Sequence, residues 1–128
     1  ENNKIDANHS YGMSIGDNDT DNIMRNNDIT GSGKVGILFR DDERGRDFWA
    51  NRNTIENNRI LNSGGDEGIA VDVKGKTKDV KIAGNEIREM REPRNRVGVR
   101  IDANAGSVEL ANNTIEGFAM DVVDNRTG

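Results

Sequence analysis

The sequence predicts an all-β solenoid in which short parallel strands wind into stacked coils, and three observations support this. Apolar residues collect in short β-branched runs with a period of two, such as "VGILF", "GIAVDV" and "VGVRI". Fifteen glycines and many asparagines punctuate these runs and argue against helix. A short motif also returns at intervals that are typical of solenoid repeats.

The returning motif places an asparagine two residues before an isoleucine. Its five copies are Asn3 with Ile5, Asn27 with Ile29, Asn58 with Ile60, Asn85 with Ile87, and Asn113 with Ile115. Successive asparagines stand 24, 31, 27 and 28 residues apart. An uneven spacing of this size indicates stacked coils rather than unrelated turns.

The rest of each repeat also recurs, and it sets the number of strands per coil. An apolar residue stands five positions before the isoleucine in four repeats, namely Met24, Ile55, Ile82 and Leu110. Downstream, a glycine opens an alternating strand in "GMSI", "GILF", "GIAV" and "GVRI", and "AMDV" takes that place last. We therefore expect about five coils of three short strands, a single-stranded parallel β-helix over residues 1–128.

Stacking explains the asparagines. Neighbouring coils of a parallel β-helix lie about 4.8 Å apart, so equivalent residues form ladders along the axis. An asparagine at the same bend of each coil can hydrogen-bond to the amides above and below it. We therefore predict an asparagine ladder with a structural role.

Outward positions should carry charge ladders in the same register. The residue before each ladder isoleucine alternates in the sign of its charge from coil to coil, as Lys4, Asp28, Arg59 and Glu86, and is the uncharged Thr114 in the last repeat. Two further columns pair Arg25 with Glu56 and Lys81 with Glu109. Exposed pairs of this kind stabilise a sheet by a few tenths of a kcal/mol each and imply no function.

Composition excludes several partners. The net charge is −5 with both signs mixed along the chain, so no basic stripe is available for nucleic acid. The absence of cysteine excludes disulfides and thiolate metal sites. No apolar run is long enough to cross a bilayer, and we expect no membrane partner.

Several segments carry a family resemblance. The units "NTIENNRILNSGGDEGIAVDV", "DVKIAGNEIREM" and "RVGVRIDA" resemble the right-handed parallel β-helix repeats of the pectate-lyase-like superfamily, over nearly the whole chain. The segments "YGMSIGDNDTDN", "VGILFRDDERG" and "DVVD" resemble uncharacterised bacterial β-helix proteins that are mostly expected to be exported. The resemblance implies right-handed coiling, as parallel crossovers generally favour. It also implies a secreted, cell-surface or periplasmic location.

The strands that follow the glycines supply the candidate active site. Counting two and four residues from each glycine places one set of charged residues on a single outward face, namely Arg40, Asp72, Arg100, Asp102 and Asp121. Enzymes of the resembled superfamily carry acids and a cation on such a face. We assign Asp72, Asp102 and Arg100 as catalytic, and Arg40 and Asp121 as substrate-binding. The alternative is another cross-coil ion-pair ladder.

Two further segments add candidates, a run of alternating acids at 17–22 and an interruption of the repeat at 40–52. In "DNDTDN", Asp17, Asp19 and Asp21 alternate as Ca²⁺ ligands often do, although a polar turn explains the same spacing. Ca²⁺ is the one cofactor that the sequence suggests. In the 40–52 segment, Trp49 can stack on a sugar ring or fold down over the thin core.

These observations favour a carbohydrate-active β-helix that binds an anionic polysaccharide, with lyase or glycoside hydrolase activity open. The alternative is a non-catalytic scaffold for binding or assembly. The chain begins within the repeat pattern at "ENNKI", and neither terminus has the pattern of a capping helix. We therefore expect a fragment of a longer β-helix with flanking coils, or end-to-end self-association.

Overall fold

The computed structural model describes residues 4–6, 11–15, 21–31, 34–40, 51–62, 68–90 and 96–126. These residues form strands joined by bends and turns. None of them belongs to a helix that could cross a membrane. The strands are β1 (Lys4–Asp6), β2 (Tyr11–Ile15), β3 (Ile23–Arg25), β4 (Asp28–Thr30), β5 (Val35–Phe39), β6 (Thr54–Glu56), β7 (Arg59–Leu61), β8 (Ile69–Val73), β9 (Val80–Ala83), β10 (Glu86–Arg88), β11 (Val97–Ile101), β12 (Val108–Ala111), β13 (Thr114–Glu116) and β14 (Met120–Asp124).

Every third strand pairs with its counterpart in the next coil, and all the pairings are parallel. Sheet A has the order β1-β4-β7-β10-β13, sheet B has β2-β5-β8-β11-β14, and sheet C has β3-β6-β9-β12. The predicted parallel β-helix with three short strands per coil is therefore confirmed.

The core is a set of stacked apolar columns inside the coil. Ile5, Ile29, Ile60, Ile87 and Ile115 align in sheet A, as the motif predicts. The second predicted column aligns in sheet C as Met24, Ile55, Ile82 and Leu110. The three central isoleucines of the first column are fully buried. A thin core therefore achieves complete burial at these three positions, because their coils are covered on both sides.

The predicted asparagine ladder is present and runs in one direction. The Oδ1 atom of Asn58 accepts hydrogen bonds from the backbone N and the Nδ2 of Asn27, at 2.9 and 3.0 Å. Asn85 accepts the same pair from Asn58, at 2.9 and 3.1 Å. Asn113 accepts it from Asn85, at 2.9 and 3.0 Å. Asn3 lies outside the described residues.

The remaining amide hydrogens of the ladder return to the backbone of the preceding coil. Asn58 Nδ2 donates to the carbonyl oxygen of Met24 at 2.9 Å, and Asn85 Nδ2 donates to that of Ile55 at 3.1 Å. Both asparagines are 2% exposed. Burial of these polar side chains is tolerated because their donors and acceptors are satisfied.

The residue before each ladder asparagine turns the chain. Asn26, Asn57 and Asn112 have φ near +57°, +54° and +57°, and Gly84 has φ +66°. Asparagine and glycine reach this left-handed region at the lowest cost. In the recurring "NN" and "GN" pairs, therefore, the first residue bends the chain and the second hydrogen-bonds to the neighbouring coil.

The outward charge ladders also follow the predicted register. Arg59 lies between Asp28 and Glu86, at 3.6 Å and 4.0 Å. Arg25 lies 4.0 Å from Glu56. These side chains are substantially exposed, so their pairing stabilises the fold only weakly.

Replacing Ile87 by Ala should lower the free energy of unfolding by about 2–5 kcal/mol, because the fully buried side chain leaves a cavity between two covered coils. Urea denaturation measures the change. The same substitution at Ile115, which is only partly buried, should cost less. Equal losses at the two positions would contradict the stacked arrangement.

Replacing Asn58 by Ala should cost more than the loss of a single hydrogen bond. The substitution removes the acceptor of the Asn27 amide and the donor to Met24, so several buried groups lose partners. Each such group costs about 1–3 kcal/mol. Asn104→Ala, at an exposed turn residue, is the matched control and should leave the unfolding midpoint nearly unchanged.

Candidate functional site

The register of sheet B differs from the one predicted by counting from the glycines. Ile69 pairs with Val35 and Val97, so Ala70, and not Gly68, is the counterpart of Gly36 and Gly98. The predicted alignment is therefore wrong by two residues in β8, and also in β14, where Asp121 and not Ala119 is the counterpart of Gly98. Leu38, Asp72, Arg100 and Val123 form one column, whereas Asp72 had been placed in the column of Asp102.

Packing explains why this column holds small residues at Ala70 and Gly98, whereas the exposed Asp121 takes the same place in the last described coil. A Cβ on Gly98 would lie 2.6 Å from Ile115 Cγ2 and 2.5 Å from the carbonyl oxygen of Asp121. Ala70 is buried within the hydrophobic core. The register of sheet B is therefore set by which residue of each strand packs closely against the core, and not by which residue begins the strand.

Asp72 and Arg100 form a two-point ion pair across coils three and four. Arg100 Nε donates to Asp72 Oδ1 at 3.1 Å, and Nη2 donates to Oδ2 at 2.7 Å. The Asp72 side chain is 2% exposed, whereas the Arg100 side chain is 39% exposed. The pair therefore has a buried acid that orients a partly exposed cation.

Asp102 belongs to the next column and acts as a turn residue. Its Oδ2 accepts a hydrogen bond from the backbone N of Gly75 at 2.9 Å, and Oδ1 accepts from that of Ala103 at 2.9 Å. Backbone hydrogen bonding aligns Asp102 with Lys74, and Lys74 with Arg40. Asp102 therefore joins two coils at the end of sheet B.

The other two predicted residues of this face lie apart from the ion pair. Arg40 Nη1 donates to Ser14 Oγ at 3.0 Å. Asp121 is exposed and lies opposite Gly98, outside the column of Arg100. The prediction of a single compact patch is thus only partly met, because Asp72 pairs with Arg100 while the remaining three are spread over neighbouring columns.

The face is also less open than the sequence suggested. Leu38 and Ala70 are 5% and 1% exposed, and Asp72 is buried beside them. Arg100, Asp102 and Asp121 are the parts of the predicted face in coils four and five that reach solvent. Any ligand on sheet B would therefore meet Arg100 before it met Asp72.

The predicted Ca²⁺ site is described only at Asp21. This exposed residue forms a two-point pair with Arg52, at 2.9 and 3.1 Å, and the pair raises the pKa of Arg52. Asp17 and Asp19 lie outside the described residues, as does Trp49. Within the part of the chain that the structure describes, no three His, Cys, Asp or Glu side chains form a metal site.

Two further charged pairs that were not predicted from sequence lie at bends of the coil. Glu89 and Arg96 form a buried pair with 3.3 Å between Oε1 and Nε, and their side chains are 0% and 4% exposed. Glu89 also borders a cavity of about 320 Å³, with Arg88, Met90, Glu116 and Gly117. The burial of Glu89 was hard to predict from sequence, because Glu89 lies at a bend where the equivalent residues of other coils are Gly31, Asn62 and Gly117.

The second pair lies at the last described bend. Arg126 contacts both carboxylate oxygens of Asp124, at 2.8 and 2.6 Å, and its Nη1 donates to the carbonyl oxygen of Gly106 at 2.9 Å. Hydrogen bonding to Arg126 lowers the pKa of Asp124 from 3.8 to about 2. Asp124 is therefore ionised at neutral pH.

The chain belongs to a protein family defined by its fold. The family model described as "right handed beta helix region" matches residues 1–127. The parallel sheets and the family match together identify a right-handed parallel β-helix. Neither the curated proteins nor the solved structures include a match to this chain.

The asymmetric burial of the sheet B pair gives a testable difference between two substitutions. Arg100→Met leaves the buried Asp72 carboxylate without its partner and should destabilise the fold by about 1–3 kcal/mol. Asp72→Asn should cost less, because the neutral amide needs less compensation and Arg100 reaches solvent. Chemical denaturation of the two variants compares these effects. A larger loss for Asp72→Asn would contradict this account of the pair.

Proposed function

We propose that this chain is a polysaccharide-binding β-helix domain whose ligand lies on the face of sheet B around Arg100. The supporting observation is the two-point bond from a buried aspartate to a partly exposed arginine. The proposed ligand is anionic, because Arg100 is the group that this geometry presents to solvent.

The guanidinium of Arg100 has a second binding edge. The Nε and Nη2 atoms face Asp72, and Nη1 forms no hydrogen bond with any residue that the structure describes. The Nη1 and Nη2 hydrogens can therefore donate to a ligand carboxylate in the two-point geometry that arginine favours. Because Asp72 already fixes the side chain, binding should cost little rotamer entropy.

Neighbouring cations suit an anionic sugar. Lys74 and Arg40 are partly exposed and occupy the adjacent column of the same sheet, together with Asp102, whose carboxylate is bound by backbone amides. The protein as a whole carries a net charge of −5, so general attraction of polyanions is weak. Selectivity for a carboxylated saccharide would then depend on local groups.

The proposal is for binding without turnover. For an acid such as Asp72 or Asp102 to act in general acid or base catalysis, its carboxyl group must come within hydrogen-bond reach of the substrate. Both oxygens of Asp72 accept from Arg100, and both oxygens of Asp102 accept from backbone amides. These bonds support structural roles for Asp72 and Asp102 in the proposal.

A non-catalytic scaffold that binds no saccharide is the second candidate. It is favoured by the charge ladders on sheets A and C, which resemble the Asp72 and Arg100 pair in linking adjacent coils. The two candidate functions differ in whether Arg100 binds a ligand, and one set of binding measurements distinguishes between them.

The test uses a glycan array, followed by calorimetry with the oligosaccharides that the array retains. Arg100→Lys keeps the charge but loses the two-point geometry, so affinity for a carboxylated ligand should fall about 10- to 100-fold. Arg52→Lys is the matched control, because Arg52 makes the same kind of pair at another corner of the coil. It should bind like the wild type.

Three outcomes would contradict the proposal. Failure of the wild type to retain any glycan would leave the scaffold as the better account. Equal losses for Arg100→Lys and Arg52→Lys would place the site elsewhere. Release of new reducing ends or unsaturated products from a retained polysaccharide would show turnover and overturn the assignment of binding alone.

A further inference from the structure

Three lysines follow β8 in the turn that leads from sheet B to sheet C, and we call residues 74–78 the lysine turn. Lys74, Lys76 and Lys78 alternate with Gly75 and Thr77, which are both buried. Lys76 and Lys78 are exposed, and Lys74 is partly exposed. This alternation places the three amines on the outer surface of coil three.

The three lysines differ from the arginines in their contacts. Every arginine that the structure describes lies within ion-pair distance of an acid, except Arg40, which donates to Ser14. Within the same part of the chain, none of the three lysines forms an ion pair. Their charges therefore remain available to a ligand.

A cross-coil charge ladder does not explain the two exposed lysines. The registers of sheets B and C align the lysine turn with residues 102–106 of coil four. Lys76 then lies opposite Asn104, and Lys78 lies opposite Gly106. Neither counterpart carries a charge, in contrast to the ladders of Arg59 on sheet A and Arg25 on sheet C.

Two described acids border the lysine turn and have other partners. Asp102 lies opposite Lys74, and its oxygens accept hydrogen bonds from backbone amides. Asp79 lies opposite Arg52 of the preceding coil and interacts with the charge of that arginine. Three amines beside two carboxylates leave the local charge positive, although the chain as a whole is acidic.

Hydrogen bonds from both neighbouring coils fix the backbone of the lysine turn. The backbone N of Lys78 donates to Asn51 Oδ1 at 3.0 Å, toward coil two. The backbone N of Gly106, in coil four, donates to the carbonyl oxygen of Thr77 at 3.0 Å. Binding at this turn therefore requires the ordering of side chains but not of the backbone, which lowers its entropic cost.

Arg100 and the lysine turn border the same junction between coils three and four. Arg100 donates through Nε and Nη2 to Asp72, so its guanidinium leans from coil four toward coil three. Lys78 lies against coil four, because a Cβ on Gly106 would be 2.5 Å from Lys78 Cβ. Arg100 and Lys74 differ by one coil and two strand positions, which places their Cα atoms about 8 Å apart.

We propose that the lysine turn is a second subsite for the anionic saccharide, which binds carboxylates further along the sugar chain than the one at Arg100. This inference rests on the proposed function, because Arg100 binds the first carboxylate. A carboxylate held by Arg100 in two-point geometry cannot also reach Lys76, so the lysines act on other acidic groups. The domain thus selects a saccharide with several carboxylates over one with a single terminal acid.

Calorimetry with an acidic monosaccharide and with oligosaccharides of the same acid, chosen from those that the glycan array retains, tests this subsite. Physiological ionic strength is used, because it screens exposed charges more than about 8 Å away. Lys76→Gln should lower affinity for the oligosaccharides about 2- to 5-fold and leave that for the monosaccharide unchanged. Lys81→Gln is the matched control, because Lys81 is an exposed lysine of the same coil that lies opposite Glu109. It should bind like the wild type.

The exposed Asn104 allows a gain-of-function variant. Asn104→Lys adds a cation to coil four beside the lysine turn, so affinity for the oligosaccharides should rise by a similar factor. Affinity for the monosaccharide should again stay unchanged. Circular dichroism and thermal unfolding check that each variant is folded.

The outcomes separate this inference from the proposed function. If Arg100→Lys weakens binding and Lys76→Gln does not, the ligand is confined to Arg100 and the second subsite is overturned. A wild type that retains no glycan would contradict both proposals. Equal losses for Lys76→Gln and Lys81→Gln would indicate general charge attraction rather than a subsite. A lower unfolding midpoint for Lys76→Gln than for Lys81→Gln would show that Lys76 has a partner within the chain, which also overturns the subsite.

Discussion

The asparagine ladder is the interaction on which the rest of this structure depends. Asn58 and Asn85 each accept two hydrogen bonds from one neighbouring coil, and their amide nitrogens donate to the next. At one bend, the ladder fixes which residues of adjacent coils lie opposite each other. The same register extends into the strands on both sides of that bend. The isoleucine column of sheet A and the apolar column of sheet C are aligned as a result. A small, highly charged chain thereby buries a continuous core.

Much of this could be predicted from the sequence because the ladder repeats at every coil. The position of Ile60 beneath Ile29, and the charge pairing of Arg59 with Asp28, follow directly from the motif. Sheet B was harder, because the chain between the ladder and that sheet varies in length from coil to coil. Gly68 looked like the start of the strand, whereas contact with the core makes Ala70 the equivalent position.

The candidate site suffered from the same error of two residues. Arg100 and Asp72 were both correctly predicted to lie on one face. Their direct pairing could be recognised only once the register of sheet B was known. Leu38 lies on the outward side of its strand, and nothing in the sequence indicated that it would nevertheless be buried. The buried pair of Glu89 and Arg96 was missed for a related reason, since two charged residues between β10 and β11 look like ordinary surface residues in the sequence. Long-range packing decides all three cases.

Amide hydrogen exchange measured by NMR tests the central role of the ladder most directly. The account predicts that the backbone N–H groups of Asn27, Asn58 and Asn85 exchange only through unfolding of the stacked coils, because each donates to a buried side-chain oxygen. The backbone N–H of Asn113 should exchange much faster in dilute solution. Exchange of the first three groups at rates close to those of an unfolded chain, while the sheets remain intact, would contradict the account.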